Sequence, residues 1–377
     1  MNEQARGDRP AQLQPFRVGH AGDAHWGRAA KACLDQLGAI DSDHNLGFLY
    51  VTEAFANDIG SVLTFLRETT RIEQWVGGVG LGICATGTEY HETGAVAAMT
   101  GHIPPDSFRV FGGLDLDTDW IAGHSPPLAL IHGDPGNPSL PRLISHIAEA
   151  TGGYLVGGIT SHLQGARQVA NEAVSGGVSG LLLGPEVGVS IGLSQGCTPI
   201  GPVHTVTEGV DGVLIEIDGQ NALTLLKTES GDLIARDLSR AAGYIHVALP
   251  VAGSDTADYT VRNLIGIDPE RGWIAVGAQL GIGDKLIFVR RDSNTAQEDL
   301  RRMARQAGAR AHRNGPIRAG LYVSCVARGP NMFGPESGEL ATIREELGDF
   351  PLIGFYANGE ICNDRLYGYT GVLTLIS

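Results

Sequence analysis

Two histidines lie where an imidazole could hold something. His246 sits inside the apolar run Tyr244 to Val251, flanked by Ile245 and Val247. His204 follows the rigid Pro199-Ile-Gly-Pro202 turn and precedes a run of β-formers. An imidazole on an apolar wall can give one axial bond to a haem iron while the wall excludes water. The same placement also describes a buried histidine satisfied by hydrogen bonds. Both readings stay open, and the covalent haem signature CxxCH is absent.

Cys197 and Cys362 fall in glycine-rich turns, so a reactive thiol is a second chemistry to weigh. A nucleophilic cysteine needs a partner that depresses its pKa, and in sequence His204 is the histidine near Cys197. Gly192-Leu-Ser194-Gln-Gly196 matches GxSxG, but that elbow requires a helix straight after the serine. Cys197-Thr-Pro199-Ile-Gly-Pro202 cannot continue one, so the match reads as coincidence. Gly80-x-Gly82-x-x-Ala85 fits a dinucleotide fingerprint loosely and also lacks the following helix that would hold a phosphate. Asp115-Leu-Asp117-Thr-Asp119 starts like a calcium loop without glycine at the sixth position, and reads as a solvated acidic loop.

The elements that must position these residues repeat. The stretch Phe350 to Ile376 reads as two strands about an Asn358-Gly359 turn, after a helix over 336–347 and a strand over 320–327. Strand, helix, strand, strand also describes 46–99: strand 46–52, helix 58–71, strands 75–83 and 94–99. It recurs at 127–191, with a strand at 127–132, a helix at 139–151 and strands at 154–159 and 180–191. First-to-second strand offsets agree: 28 residues from Phe48 to Val76, 27 from Leu128 to Leu155 and 31 from Leu321 to Leu352. One supersecondary unit used three times accounts for that agreement. Between the second and third copies lies a different region of short strands and a charged helix over 296–311.

The fold class expected is therefore α/β, with repeated strand-helix-strand-strand units forming mixed sheets in two domains. Residues 1–20 are expected to be a flexible N-terminus, followed by domains at 21–235 and 236–377. The boundary is drawn where Gly231-Asp232 and the charged run Arg236 to Arg240 interrupt the apolar pattern.

A net charge of -15 argues against a nucleic-acid footprint and against docking on an anionic membrane. No uninterrupted apolar run reaches membrane-spanning length, and the N-terminus lacks a signal-peptide core. Five widely spaced cysteines without CxxC fit reduced thiols. A cytoplasmic protein is the expectation.

Ser194 to Pro202 with the strand Gly212-Val-Leu-Ile-Glu-Ile-Asp-Gly219 resembles the end of a FIST N-terminal domain (F-box and intracellular signal transduction). Asp258-Tyr-Thr-Val-Arg-Asn263, Leu264 to Pro269 and Gly354-Phe-Tyr-Ala-Asn-Gly-Glu-Ile361 resemble its C-terminal companion. The ending Arg365 to Leu375 is similar to NosP-type nitric-oxide-sensing haemoproteins. The resemblance implies a sensory module that binds a small molecule and signals in trans to a separate protein, often a histidine kinase. From the NosP branch it implies b-type haem and nitric oxide as the signal, while His246 and His204 are candidate iron ligands by their sequence context. An alternative keeps the fold but replaces haem by an amino acid or similar metabolite. Arg262 would then pair a carboxylate and Asn263 or Glu360 an amine, with Cys197, Pro202 and Phe355 completing the pocket. A cysteine-dependent enzyme is a third reading, and a homodimer is compatible with all three.

Overall fold

The computed structural model describes residues 16–161, 168–231, 243–251 and 259–377. The chain builds one unit three times. The first contains β1 (Arg17–Gly22), α1 (Trp26–Leu37), β2 (Leu46–Thr52), α2 (Ile59–Thr70) and β3 (Gln74–Gly80). It ends with the hairpin β4 (Gly82–Ala85) and β5 (Thr88–His91), then β6 (Ala95–Gly101). The second runs β7 (Phe108–Gly112), α3 (Thr118–His124), β8 (Leu128–Gly133), α4 (Leu140–Thr151) and β9 (Tyr154–Ile159). Its hairpin is β10 (Gln168–Ala170) and β11 (Glu172–Val174), and it closes on β12 (Val178–Leu183).

The third unit opens with β13 (Val189–Gln195) and is then interrupted by an insert. The insert comprises β14 (Cys197–Pro199), β15 (His204–Val210), β16 (Val213–Ile217), β17 (Gln220–Asn221) and α5 (Ala222–Ser230). It continues with β18 (Ile245–Pro250), β19 (Tyr259–Asp268), β20 (Trp273–Val276) and β21 (Lys285–Arg291). The unit resumes with α6 (Ser293–Asn314), β22 (Ala319–Cys325), α7 (Gly329–Phe333), α8 (Gly338–Leu347) and β23 (Leu352–Ala357). The hairpin β24 (Glu360–Cys362) and β25 (Arg365–Tyr367) precedes β26 (Thr370–Ile376).

In each unit the parallel pair carries an antiparallel strand on its outer side: β6-β2-β3, β12-β8-β9 and β26-β22-β23. The expected partner Val76 stands opposite Phe48. In the other two units the register differs from the sequence offsets by one residue, with Tyr154 opposite Leu128 and Leu352 opposite Gly320. Each hairpin leaves its own unit: β4 pairs with β23, β10 with β3 and β24 with β9. The exchange is cyclic and produces three six-stranded mixed sheets. Strand β13, before residue 235, pairs along its length with β26. The expected boundary itself falls mostly on residues 232–242, outside the described residues.

Alternation along the strands sets the layers. Inward residues of all three sheets, among them Phe48, Leu130 and Val323, form one central core. Outward residues meet the helices: α1 and α2 on one sheet, α4 on the next, and α6 and α8 on the third. Helix α1 buries Ala29, Ala30, Cys33 and Leu37 as its spacing predicts. Gly77, Gly157 and Gly354 occupy corresponding positions, where a Cβ would lie within 2 Å of the neighbouring strand's carbonyl oxygen: 1.8, 1.9 and 1.7 Å. Only glycine allows those strands to approach so closely.

The insert is a second unit. Its strands form an eight-stranded sheet that closes through an additional β21–β18 pairing, around a core including Leu214, Val247 and Phe288. Three expected continuous strands are broken. The run 75–83 splits at Leu81, because β4 crosses to another sheet. The run 180–191 splits at Gly184-Pro185, since proline has no N–H for a ladder. The second strand expected within 350–376 splits at Tyr369, whose φ is +62°. Of the expected N-terminal tail, residues 1–15 lie outside the described residues, whereas Phe16 is buried and β1 pairs with β6. Among the described residues no helix is long and apolar enough to cross a membrane.

Candidate functional site

In open α/β sheets ligands bind beyond the carboxyl ends of parallel strands. In the third unit that end, at Cys325 of β22 and Ala357 of β23, lies beneath the outer face of the inserted barrel. Tyr369 touches both parts. It sits in the turn joining β25 to β26 in the left-handed region, an outlying conformation for a bulky side chain. Its ring lies 4.4 Å from that of His246 on β18, and its hydroxyl donates to Asn263 Oδ1 at 2.7 Å. The Arg291 guanidinium stands over the same ring at 5.7 Å, while its Nη2 donates to the Ala327 carbonyl. Register explains the gathering: Asn263 is directly opposite His246, and Cys197 directly opposite Arg291.

On the body side, Thr370 donates to Glu360 Oε2 from its backbone N at 3.1 Å and its hydroxyl at 2.7 Å. Glu360 is wholly buried, and its Oε1 has no hydrogen-bond partner. Burial pushes its carboxyl up to about 8, against the pull of the Thr370 hydrogen bonds, Arg328 and the Cys325 thiol. His246 is 1% exposed, and neither ring nitrogen is hydrogen-bonded. Burial, helped by the Arg291 charge and opposed by the Gly243 backbone, lowers it to about 4, so the ring is neutral at physiological pH. Arg291 Nε and Thr198 Oγ1 are likewise buried without partners. Such atoms cost about 1–3 kcal/mol each when nothing meets them.

A buried ion pair underlies the turn. Arg328 and Glu339 are both 0% exposed and meet at 2.7 Å. Tyr322 and Ser324 also donate to Glu339, at 2.6 and 3.0 Å. The Arg328 fork reaches Ser194 Oγ at 3.3 Å and the Tyr369 carbonyl at 3.5 Å. Ser194 is therefore an interior acceptor within β13, consistent with the failed elbow motif. Asp117 has an equally structural task, accepting from Trp120 N at the start of α3.

Of the residues singled out from sequence, His246, Asn263, Cys197 and Glu360 converge on this seam. Arg262 reaches it with its guanidinium already committed, donating to the Val261 and Leu366 carbonyls at 2.8 and 3.2 Å. The charge acting on His246 is that of Arg291. Phe355 is in the central core, stacked on Tyr50 at 5.1 Å. Pro202 is exposed on the loop before β15. His204 is elsewhere in the barrel, with Nδ1 2.7 Å from Asp218 and Nε2 2.8 Å from Glu229. Burial opposes charge on that ring, but the two carboxylates outweigh it and raise its pKa.

Sequence reasoning missed Tyr369, Arg291 and the Arg328–Glu339 pair. Only the Tyr-Gly-Tyr-Thr-Gly run around Tyr369 marked a break in the strand. All five cysteines are buried and stand outside any disulfide. Burial raises Cys197 to about 12 despite Arg291 and Arg328, which leaves it a poor nucleophile. Among the described residues no group of three or more His, Cys, Asp or Glu side chains is placed to hold a metal ion. Beside the seam, a cleft of about 430 Å³ is lined by Gly192, Gln195, Tyr259, Asp299 and Arg302. Tyr259 joins cleft to seam by donating its hydroxyl to the Cys197 carbonyl at 2.5 Å.

For haem, the neutral and unpartnered His246 ring suits an axial donor. Its surroundings of Tyr369, Arg291 and Asn263 are polar, unlike the apolar walls that a macrocycle prefers.

The chain is 35% identical over 196 residues to an uncharacterized protein of Mycobacterium tuberculosis, covering 48% of this chain and 49% of that one. It is 34% identical over 190 residues to an uncharacterized protein of Mycobacterium bovis, covering 48% of each. The chain thus spans about half the length of the curated relatives it matches. The family model for the FIST N domain matches residues 45–220, and that for the FIST C domain matches 222–363. FIST domains are sensor domains of signal transduction that bind small ligands. With both models matched in sequence over 45–363, the chain belongs to the FIST family.

Proposed function

We propose that this protein senses a small polar molecule at the seam between the inserted barrel and the three-unit body, and signals to a separate protein. One observation carries the reading. Among the described residues, four buried polar atoms around Tyr369 lack hydrogen-bond partners: both His246 nitrogens, Arg291 Nε and Glu360 Oε1. Together they offer donors and acceptors to a molecule that has both, such as an amino acid or related metabolite. Occupancy would alter the strained Tyr369 turn and hence the seating of the barrel, giving a partner such as a histidine kinase two surfaces to distinguish.

Thermal-shift screening of metabolites tests this. A binding compound should raise the melting temperature of the wild type and lose its effect in His246→Phe and Glu360→Gln. A compound that stabilises all three equally binds elsewhere and counts against the seam.

A second reading is haem b with nitric oxide as the signal. It is favoured by the neutral, unpartnered His246 imidazole. Bound haem would supply an iron able to take a diatomic gas; His246 would hold that iron, and Tyr369 would orient the imidazole ring. A Soret band after haemin addition, absent in His246→Phe, supports it, and no band in the wild type removes it.

A further inference from the structure

A second set of unpartnered atoms lies in the central core, away from the seam. His132 on β8 is fully buried, and its Nε2 meets the Tyr50 hydroxyl of β2 at 2.9 Å. The rings of Tyr50, His132 and Phe355, each from a different sheet, lie 5.1 to 5.7 Å apart. Gln168 Nε2 donates to the His132 carbonyl at 2.9 Å. Ser179 of β12 stands directly opposite His132, on the same inward face. Gln168 reaches the same layer across Gly78, which pairs with Tyr50. Among the described residues, three atoms of this cluster have no hydrogen-bond partner: His132 Nδ1, Gln168 Oε1 and Ser179 Oγ. All three residues are 0% exposed.

We propose that one ordered water molecule is bound where the three sheets meet, bridging His132 Nδ1, Gln168 Oε1 and Ser179 Oγ. The chemistry selects the occupant. Gln168 Oε1 can only accept, Ser179 Oγ can donate or accept, and the neutral imidazole presents either N–H or a lone pair. A molecule bridging them must donate at least once and adapt to the rest. Water does so with three hydrogen bonds, the usual number for an interior water. A cation would face no carboxylate within this cluster and would lose its hydration without charge compensation. Burial keeps the ring itself uncharged, lowering His132 to about 3.

The tests are a high-resolution crystal structure and the melting temperature of Ser179→Ala. Expected are a density peak within hydrogen-bond distance of all three atoms and a melting temperature lowered by several degrees. With no bridging water, Ser179→Ala would delete an unmet hydroxyl and melt at the same or a higher temperature. That result, missing density in a well-ordered core, or an anomalous signal from soaked rubidium at the position would each overturn the assignment. The density in the wild-type core decides the assignment should Ser179→Ala fail to fold.

Discussion

The Tyr369 hydroxyl donates to Asn263 Oδ1 at 2.7 Å, so one side chain of the body fastens the inserted barrel at β19. The same ring lies against His246 on β18, and its carbonyl accepts from Arg328 below. Tyr369→Phe keeps the ring and removes the bond. The expected cost is about 1 kcal/mol in urea unfolding, together with a changed affinity for any seam ligand in calorimetry. An unchanged affinity would show that the barrel's attachment and ligand binding are independent.

Removing His246 should separate stability from function. Its two ring nitrogens are buried and unmet, so a phenyl ring relieves that penalty while keeping the packing on Tyr369. His246→Phe should be as stable as the wild type or more so, by up to about 1–2 kcal/mol, and should not respond to ligand. Denaturant midpoints and thermal shifts read the two effects separately.

Glu360 gives a pH signature. Its folded-state pKa of about 8 lies above the ordinary 4.5, so the folded protein keeps a proton that the unfolded chain releases. Stability therefore falls as pH rises from about 4.5 towards 8. Glu360→Gln holds a neutral isostere that still accepts from Thr370. It should be more stable than the wild type at pH 7–8, on the order of 1–3 kcal/mol, with the gap closing below pH 4.5. Melting temperatures measured across pH check this, and a constant gap would contradict a titrating Glu360.

His204 titrates in the same sense for another reason. Asp218 and Glu229 favour its protonated ring, with Lys285 near Asp218 and the Phe288 ring beside the imidazole. Because the folded pKa is raised above 6.5, the stabilisation is complete below that pH and is lost as pH rises through the folded value. Wild type should lose melting temperature on going from pH 7 to 9 more steeply than His204→Gln. Parallel curves would mean that His204 does not titrate in this range.

The Arg328–Glu339 pair should be intolerant of single changes. Arg328→Met leaves the Glu339 charge buried among Tyr322 and Ser324, at an expected cost of about 3–5 kcal/mol in urea unfolding. Adding Glu339→Gln should recover part of it, which distinguishes a stranded charge from lost packing.

Much of the framework was legible because it rests on local periodicity. The pairing of Phe48 with Val76, the helix face Ala29-Ala30-Cys33-Leu37 and the threefold recurrence all follow from spacing within a few tens of residues. The hairpin exchange was not legible, since nothing near Leu81 shows that β4 pairs with Phe355 rather than continuing β3. The site divided in the same way. His246 and Asn263 stood out on strands whose antiparallel register places them opposite each other. Arg291 and Tyr369 did not, because their roles arise from packing between segments nearly 80 residues apart. His204 looked like His246 in sequence, and its two carboxylate partners, 14 and 25 residues downstream, made it a structural clasp.

The cyclic hairpin exchange bears on how the molecule comes apart. Each sheet borrows its last two strands from a neighbouring unit, so opening any one unit exposes a raw edge on another. A fragment ending near residue 220 would leave the β9 edge without β24, β13 without β26 and β4 without β23. Expressed alone, either half should aggregate through those bare edges, while the two halves produced together should find each other. The intact body should melt in a single cooperative step.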